Sequence, residues 1–356
     1  MDKDSWGVSD PADGPWGRAR QPGIPVTADE IVADALAAAD AGAAVIHFHA
    51  YDERTGRQRD DYEIYAPVIE RIRAAADVVC CPTIHNYNAI WMHVDQSEAN
   101  VRQLSEDARE IGAAGVCVTT WENGLFGSYD TLMPALEACA AILVGNDSEE
   151  GAFLGAYRRV SDGHAEWARL MGSELQGAGG VFAFSGTRSA LKVRLLLNSN
   201  PFLAWMHHSD ELCGQVGDAA LSVIEEALLV APDEATKGIS LFARSAIEFV
   251  RLAEASRREY ADGRPEAAIT RLLPTRQIFA DLETAALRTH TRCGGSLADV
   301  ERCRAARDHI DRVMARIRRY GDRSLGYLPS FEHLTHHKFM PHDQGAWWLI
   351  NRWSNE

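Results

Sequence analysis

Between Thr27 and Leu143 the chain alternates two hydrophobic patterns, and few architectures accept that alternation. Thr27-Ala28-Asp29-Glu30 offers a good N-cap and, three residues later, the glutamate of a capping box. Ile31, Ala35, Leu36 and Ala39 then share one helical face up to Gly42. Ala43 to Ala50 follows as a short apolar run around Val45, Ile46 and Phe48, the pattern of a buried strand. Asp52 to Arg59 is a charged turn containing Thr55-Gly56, and Tyr62 to Ala76 returns to helical spacing through Ile64, Val68, Ile69 and Ile72. Val78 to Ile84 reads as a second strand, Ser97 to Ile111 as a helix ended by Gly112, Gly115 to Thr120 as a third strand, and Thr131 to Leu143 as a helix. Strands joined through helices lie parallel, with right-handed crossovers. The class is therefore α/β, compatible with part of a (βα) barrel or with an open doubly wound sheet.

After Gly145 the rhythm changes. Gly151 to Glu174, Thr187 to Leu197, Ala219 to Leu229, Ser240 to Ala261, Glu266 to Arg288 and Leu297 to Tyr320 all carry helical spacing, and Gly180 to Phe184 is the best remaining strand. A closed eight-stranded barrel takes about 200 residues or more, and only three strong strands precede the change. The expected organisation is a loose arm over 1–23, a TIM-barrel-like βα region over 24–146 holding a partial (βα) barrel, and a mostly α-helical region over 147–356.

The composition, 46% apolar and 24% charged, permits a sizeable core. A formal net charge of −15 disfavours nucleic-acid binding through phosphate contacts. The basic run from Arg302 to Arg323 reads as a solvated helix face. The seven cysteines lack CxxC spacing, and Cys80 and Cys81 read as small buried residues. That usage fits a reducing cytoplasm. Residues 1–23 show no signal-peptide pattern, and no window is apolar enough for a membrane span. The sequence leaves room for a homo-oligomer without specifying one.

His47-Phe48-His49 is the sharpest chemical feature. Side chains two apart on a strand share a face, so both imidazoles point one way and Phe48 the other. They close the strand at its C-terminal end, where parallel α/β folds carry their sites. Imidazole suits zinc and related divalent metals, and a catalytic site needs a third protein ligand besides. The next strand ends at Thr83-Ile84-His85, where Thr83 could bond a substrate carboxylate or carbonyl and His85 could be a ligand. The third ends at Trp121-Glu122, offering a platform for a flat ligand and a general base or third ligand. His207-His208-Ser209-Asp210-Glu211 and the histidines from His333 to His342 lack the spacing of a helical zinc site, and read as surface or packing residues. Trp347, Trp348 and Trp353 read as docking a C-terminal helix. GxGxxG, P-loop and GxSxG motifs are absent from the sequence.

Ile24 to Ile31, Ala41 to Ala50 and Thr55-Gly56-Arg57 together form a pattern that resembles the β-keto acid cleavage enzymes, over about residues 20–85. The resemblance implies a zinc-dependent (βα)8 barrel that takes a β-keto acid and acetyl-CoA to a CoA thioester and acetoacetate. It implies zinc on His47 and His49, and substrate held by Thr83. The family's first-strand glutamate and its late Glu-Asp segment have no counterpart in this sequence. From about residue 90, Val116 to Gly124 and the helical tail are more weakly similar to family 20-type glycoside hydrolases, which would use Trp121, Glu122 and Asp210-Glu211 on carbohydrate. A non-catalytic helical binding module is the third reading.

Overall fold

Helix α1 (Ala28–Asp40) begins where its capping box places it. Thr27 Oγ1 accepts from the Glu30 amide at 3.3 Å, and Glu30 Oε2 accepts from the amides of Thr27 and Val26 at 3.0 and 2.9 Å. These contacts satisfy donors that a helix start otherwise leaves open. The helix stops at Gly42, whose φ of +91° lies in the left-handed region that glycine tolerates. The computed structural model describes residues 23–43, 46, 48, 51–53, 57–58, 62–74, 76–84, 90–120, 129–145, 151–177, 182, 194–198, 200–293, 297–321 and 328–335. Among these, the chain divides into two compact units, one taking residues up to Pro82 and Gln103–Cys117, the other Thr83–Arg102 and residues from Val118 onward.

In the first unit, α1 buries Ile31, Val32 and Ala35 in one cluster with Tyr51 and with Val68 and Ile72 of α2 (Tyr62–Arg73). Helix α2 ends three residues before the expected Ala76, although the Ala76 amide still reaches Ile72 O at 2.8 Å. The charged turn carries a short ladder at its ends: β1 (Tyr51–Asp52) pairs antiparallel with β2 (Arg57–Gln58). Of the expected strand Ala43 to Ala50, the described residues Ala43, Ile46 and Phe48 belong to no ladder. Ile46 and Phe48 instead pack half-buried against the α1–α2 cluster, and Phe48 meets the Tyr65 ring at 5.9 Å.

The parallel pairing expected of the next two strands is present, in shortened form. Val79 lies opposite Gly115 and Cys80 opposite Val116, making β3 (Val79–Cys80) and β4 (Gly115–Val116). Pro82 has no amide hydrogen to give, which limits how far a ladder can run. Pairing resumes as a single bridge between Thr83 and Thr119. The crossover is α3 (Val94–Glu110), which starts before Ser97 because His93 caps it: His93 O and Nδ1 accept from the amides of Ser97 and Gln96. No closed barrel is found among the described residues.

The second unit is helical. Helices α4 (Tyr129–Leu143), α5 (Ala152–Val160) and α6 (Asp162–Arg169) are followed by a wide turn, Leu170–Glu174. The single helix expected from Gly151 to Glu174 is broken at Ser161, whose extended backbone caps α6. A Cβ on Gly172 would lie 2.3 Å from Val94 Cγ2, so a glycine lets the wide turn approach Val94 and Trp91. Phe182, inside the expected strand Gly180 to Phe184, sits in a bend. Of the helix expected from Thr187 to Leu197, only Arg194–Leu197 is described, as a tight 3₁₀ turn.

Helices α7 (Phe202–Leu212), α8 (Gln215–Val230) and α9 (Glu234–Ala261) follow, and the sequence reading passes over α7. Pro274 divides the helix expected from Glu266 to Arg288 into α10 (Pro265–Leu272) and α11 (Thr275–Cys293). Helices α12 (Leu297–Gly321) and α13 (Phe331–Thr335) close the described chain. Helix α9 is the spine: Phe249 meets Phe202 at 5.3 Å and Phe279 at 5.6 Å, edge to face. The basic run lies on α12 as far as Arg319, with Cys303, Ile310, Val313 and Ile317 buried on its other side, and Arg323 lies outside the described residues. Its arginines are not merely solvated: Arg304 and Arg307 both bind Glu283 of α11.

Candidate functional site

The strand-end site expected from the sequence is described in part. Of its candidates, Thr83 is described, while His47, His49, His85, Trp121 and Glu122 lie outside the described residues. Thr83 is half-buried and held from three sides. Its amide donates to Asn100 Oδ1 at 2.8 Å, and its hydroxyl lies 3.2 Å from both Thr119 O and Ile84 O. The Ile84 amide donates to Thr119 O at 2.9 Å, which locks the two strand ends together. A hydroxyl has one hydrogen and two lone pairs. In this conformation Thr83 directs its hydrogen to backbone carbonyls, and its oxygen keeps acceptor capacity.

In the first unit, Cys80 is buried and Cys81 and Cys117 are exposed. Burial raises the thiols of Cys80 and Cys81, and the neighbouring Cys117 raises Cys81 further. A raised thiol is a weak nucleophile and metal ligand at neutral pH. Among the described residues no group of three or more His, Cys, Asp or Glu side chains could hold a metal ion.

Two cavities lie among the described residues of the helical unit. The larger, about 470 Å³, is lined by Trp205, Asp210, Cys213, Glu254, Arg257 and Arg258 among others. Glu254 accepts from Arg257 Nη2 at 2.7 Å and Nε at 2.9 Å, from Arg258 Nε at 3.0 Å and from Trp205 Nε1 at 3.2 Å. The Arg257 hydrogen bonds, then those of Arg258 and Trp205, outweigh desolvation and hold its carboxyl at about 2. His208 is buried, with Nδ1 3.5 Å from Glu211, and His333 is exposed on α13. His336, His337, His342, Trp347, Trp348 and Trp353 lie outside the described residues.

Two groups escape the sequence reading. Glu98 is buried and accepts from the amides of Gly151, Ala152 and Phe153 at 2.9, 3.1 and 3.0 Å, with Arg102 Nε at 3.0 Å. It places a carboxylate on the amides that open α5, where the helix dipole favours negative charge. Nothing in its local sequence points there. Ser161, His164 and Asp233 form a hydrogen-bonded chain at the smaller cavity. The spacings Ser161-x-x-His164 and Asp233-x-x-Thr236 are visible cap signals that would have located both helix starts.

Residues 12–144 match the family described as beta-keto acid cleavage enzyme. Over this stretch, a little more than a third of its length, the chain is similar to that family. The match reaches beyond residues 20–85 and takes in Val116 to Gly124, the stretch likened above to family 20-type glycoside hydrolases. The chain is also 46% identical over 57 residues to a 3-dehydrocarnitine:acetyl-CoA trimethylamine transferase of Rhizobium meliloti (strain 1021), a match covering 16% of this chain. It spans 19% of that protein's length. No solved structure matches the chain.

Proposed function

We propose that this chain is a metal-dependent enzyme of the β-keto acid cleavage type, converting a β-keto acid and acetyl-CoA to a CoA thioester and acetoacetate. The observation that carries the proposal is the family match over residues 12–144, which contains His47-Phe48-His49 and Thr83. The relative named as a 3-dehydrocarnitine:acetyl-CoA trimethylamine transferase supports an acetyl-CoA-using reaction. In this reading the family-related region is a partial (βα) barrel with its site at the strand ends, and the protein works in the cytoplasm. Among the described residues no helix is long and apolar enough to cross a membrane.

His47 and His49 would hold the divalent metal, zinc by the donor preference of imidazole. Bound there, the metal supplies Lewis-acid polarisation of the keto carbonyl. Thr83 binds substrate by turning its hydroxyl hydrogen from Thr119 O toward a substrate oxygen, a rotation about one bond. Its amide stays on Asn100, so the backbone does not move in that exchange. Glu122 serves as third ligand or base, and Trp121 as a wall for a flat ligand.

The test is to incubate the purified chain and zinc with acetyl-CoA and a panel of short β-keto acids. Acetoacetate and a new CoA thioester should form in equal amounts. Thr83→Val should raise KM about tenfold, a hydrogen bond of roughly 1.4 kcal/mol, while Thr83→Ser stays near wild type. A folded, zinc-loaded chain giving neither product would contradict the proposal.

A further inference from the structure

The structure assigns a second chemical site, at Ser161, His164 and Asp233, arranged as a nucleophile, base and orienting carboxylate for cleaving small carboxylic esters. Ser161 Oγ lies 2.7 Å from His164 Nδ1, and His164 Nε2 lies 3.2 Å from Asp233 Oδ2. Donor and acceptor inventory settles the direction of each bond. Asp233 Oδ1 is engaged as the α9 cap, accepting from the Thr236 amide at 2.9 Å and its hydroxyl at 2.8 Å. That leaves Oδ2 for the imidazole, and because an ionised carboxylate only accepts, His164 Nε2 carries the hydrogen. Asp233 stays ionised: the Thr236 hydrogen bonds and His164 hold its carboxyl below the usual range against the cost of burial. In the neutral imidazole Nδ1 is then a bare lone pair facing the Ser161 hydroxyl. Ser161 Oγ also accepts from the His164 amide at 3.2 Å, which aims its hydrogen at the ring.

These are the relations a serine nucleophile needs, with the two ring nitrogens in the reverse of the commoner order. Ser161 is exposed, so an acyl carbon can reach it. His164 and Asp233 line a cavity of about 240 Å³ whose wall includes Met133, Pro134, Val160 and Trp167, room for a small acyl or alkyl group. Ser161 opens helix α6, where first-turn amides lack intrahelical acceptors and can face a developing oxyanion.

In the reaction, Ser161 Oγ bonds to the ester carbonyl carbon and its proton passes to His164 Nδ1. The resulting imidazolium is held by Asp233. Collapse breaks the ester C–O bond, and the leaving alkoxide takes the proton back from Nδ1. Water then attacks the acyl-serine by the same route, releasing the acid and restoring the hydroxyl. The net change is ester plus water to acid plus alcohol.

The experiment treats the full chain with a fluorophosphonate probe and, separately, with p-nitrophenyl acetate. One phosphonyl group should be added per chain and map to Ser161 by peptide mass spectrometry. His164→Gln should slow the labelling by about 100-fold or more, the span of general-base assistance. Ser161→Asn keeps a capping oxygen without a nucleophile, so it should give no adduct while its helical circular dichroism is unchanged. A folded wild-type chain carrying no phosphonyl group on Ser161, or labelled as fast in His164→Gln, would overturn the assignment.

Discussion

The two compact units differ in where their side-chain hydrogen bonds run. In the unit built from Thr83–Arg102 and the residues from Val118 onward, buried side chains bridge distant parts of the chain. Glu98 binds the amides at 151–153, Trp91 donates to Thr131 at 3.0 Å, Trp205 to Glu254 at 3.2 Å, and Asn200 to Thr335 O at 3.1 Å. In the first unit the Thr27–Glu30 cap, Glu53 on the Ala28 amide at 2.9 Å, and Arg71 to Asp29 at 2.6 Å lie at the surface. A buried polar bond is costly to leave unmade, so it fixes which helix lies against which. An exposed one contributes little. The helical unit therefore specifies part of its packing through buried polar bonds, whereas in the first unit the cluster between α1 and α2 is apolar and the caps beside it are exposed.

Substitutions can break this contrast, starting with Glu98. Glu98→Ala strips the acceptor from three backbone amides and from Arg102. It should destabilise the helical unit by about 3 kcal/mol or more in urea denaturation, with Glu98→Gln recovering part. A loss below about 1 kcal/mol, the level of an exposed cap, would erase the difference between the units.

The next effect is acid sensitivity. Glu254 sits at about 2 against an ordinary 4.5, so its folded value is depressed. Its contribution is complete above pH 4.5 and is lost as pH falls toward 2, a ceiling of about 3 kcal/mol. The 68% exposure of the Arg258 side chain reduces that figure by screening. Glu254→Gln should flatten the fall in stability between pH 4.5 and 2, read from urea midpoints at each pH. An unchanged slope would remove Glu254 from the account.

The smallest effect belongs to the first unit. Thr27→Ala removes one half of the capping box and should cost about 1 kcal/mol. Thr27→Ser should be nearly silent by thermal melting, and a cost of several kcal/mol for Thr27→Ala would show the cap to be far more central than its exposure implies.

What could be read from the sequence follows the range of the interactions involved. The Thr27–Glu30 box was legible because both partners lie within four residues, and the amphipathic α12 because its period repeats over its whole length. The parallel pairing of β3 and β4 followed from the helix between them, but the strand lengths did not, because Pro82 ends the ladder whatever the flanking apolar run suggests. The break at Ser161 was missed because apolar spacing continues across it. Helix α7 was missed because Phe202-Leu203-Ala204-Trp205 is apolar on every side, as a helix buried in a core must be, and such a run has no period. Glu98 was illegible because its partners lie more than fifty residues away. Thr83 was correctly placed at a strand end, while its bonds to Asn100 and Thr119 depend on packing.

The central claim is that the family-related region works as a metal site through His47 and His49. Elemental analysis of the purified chain, beside a His47→Ala/His49→Ala double variant of matched fold, tests it directly. The account predicts near-stoichiometric zinc in the wild-type chain and its loss in the variant. Equal metal content in both proteins, or none in a wild-type chain purified with zinc present, would contradict it.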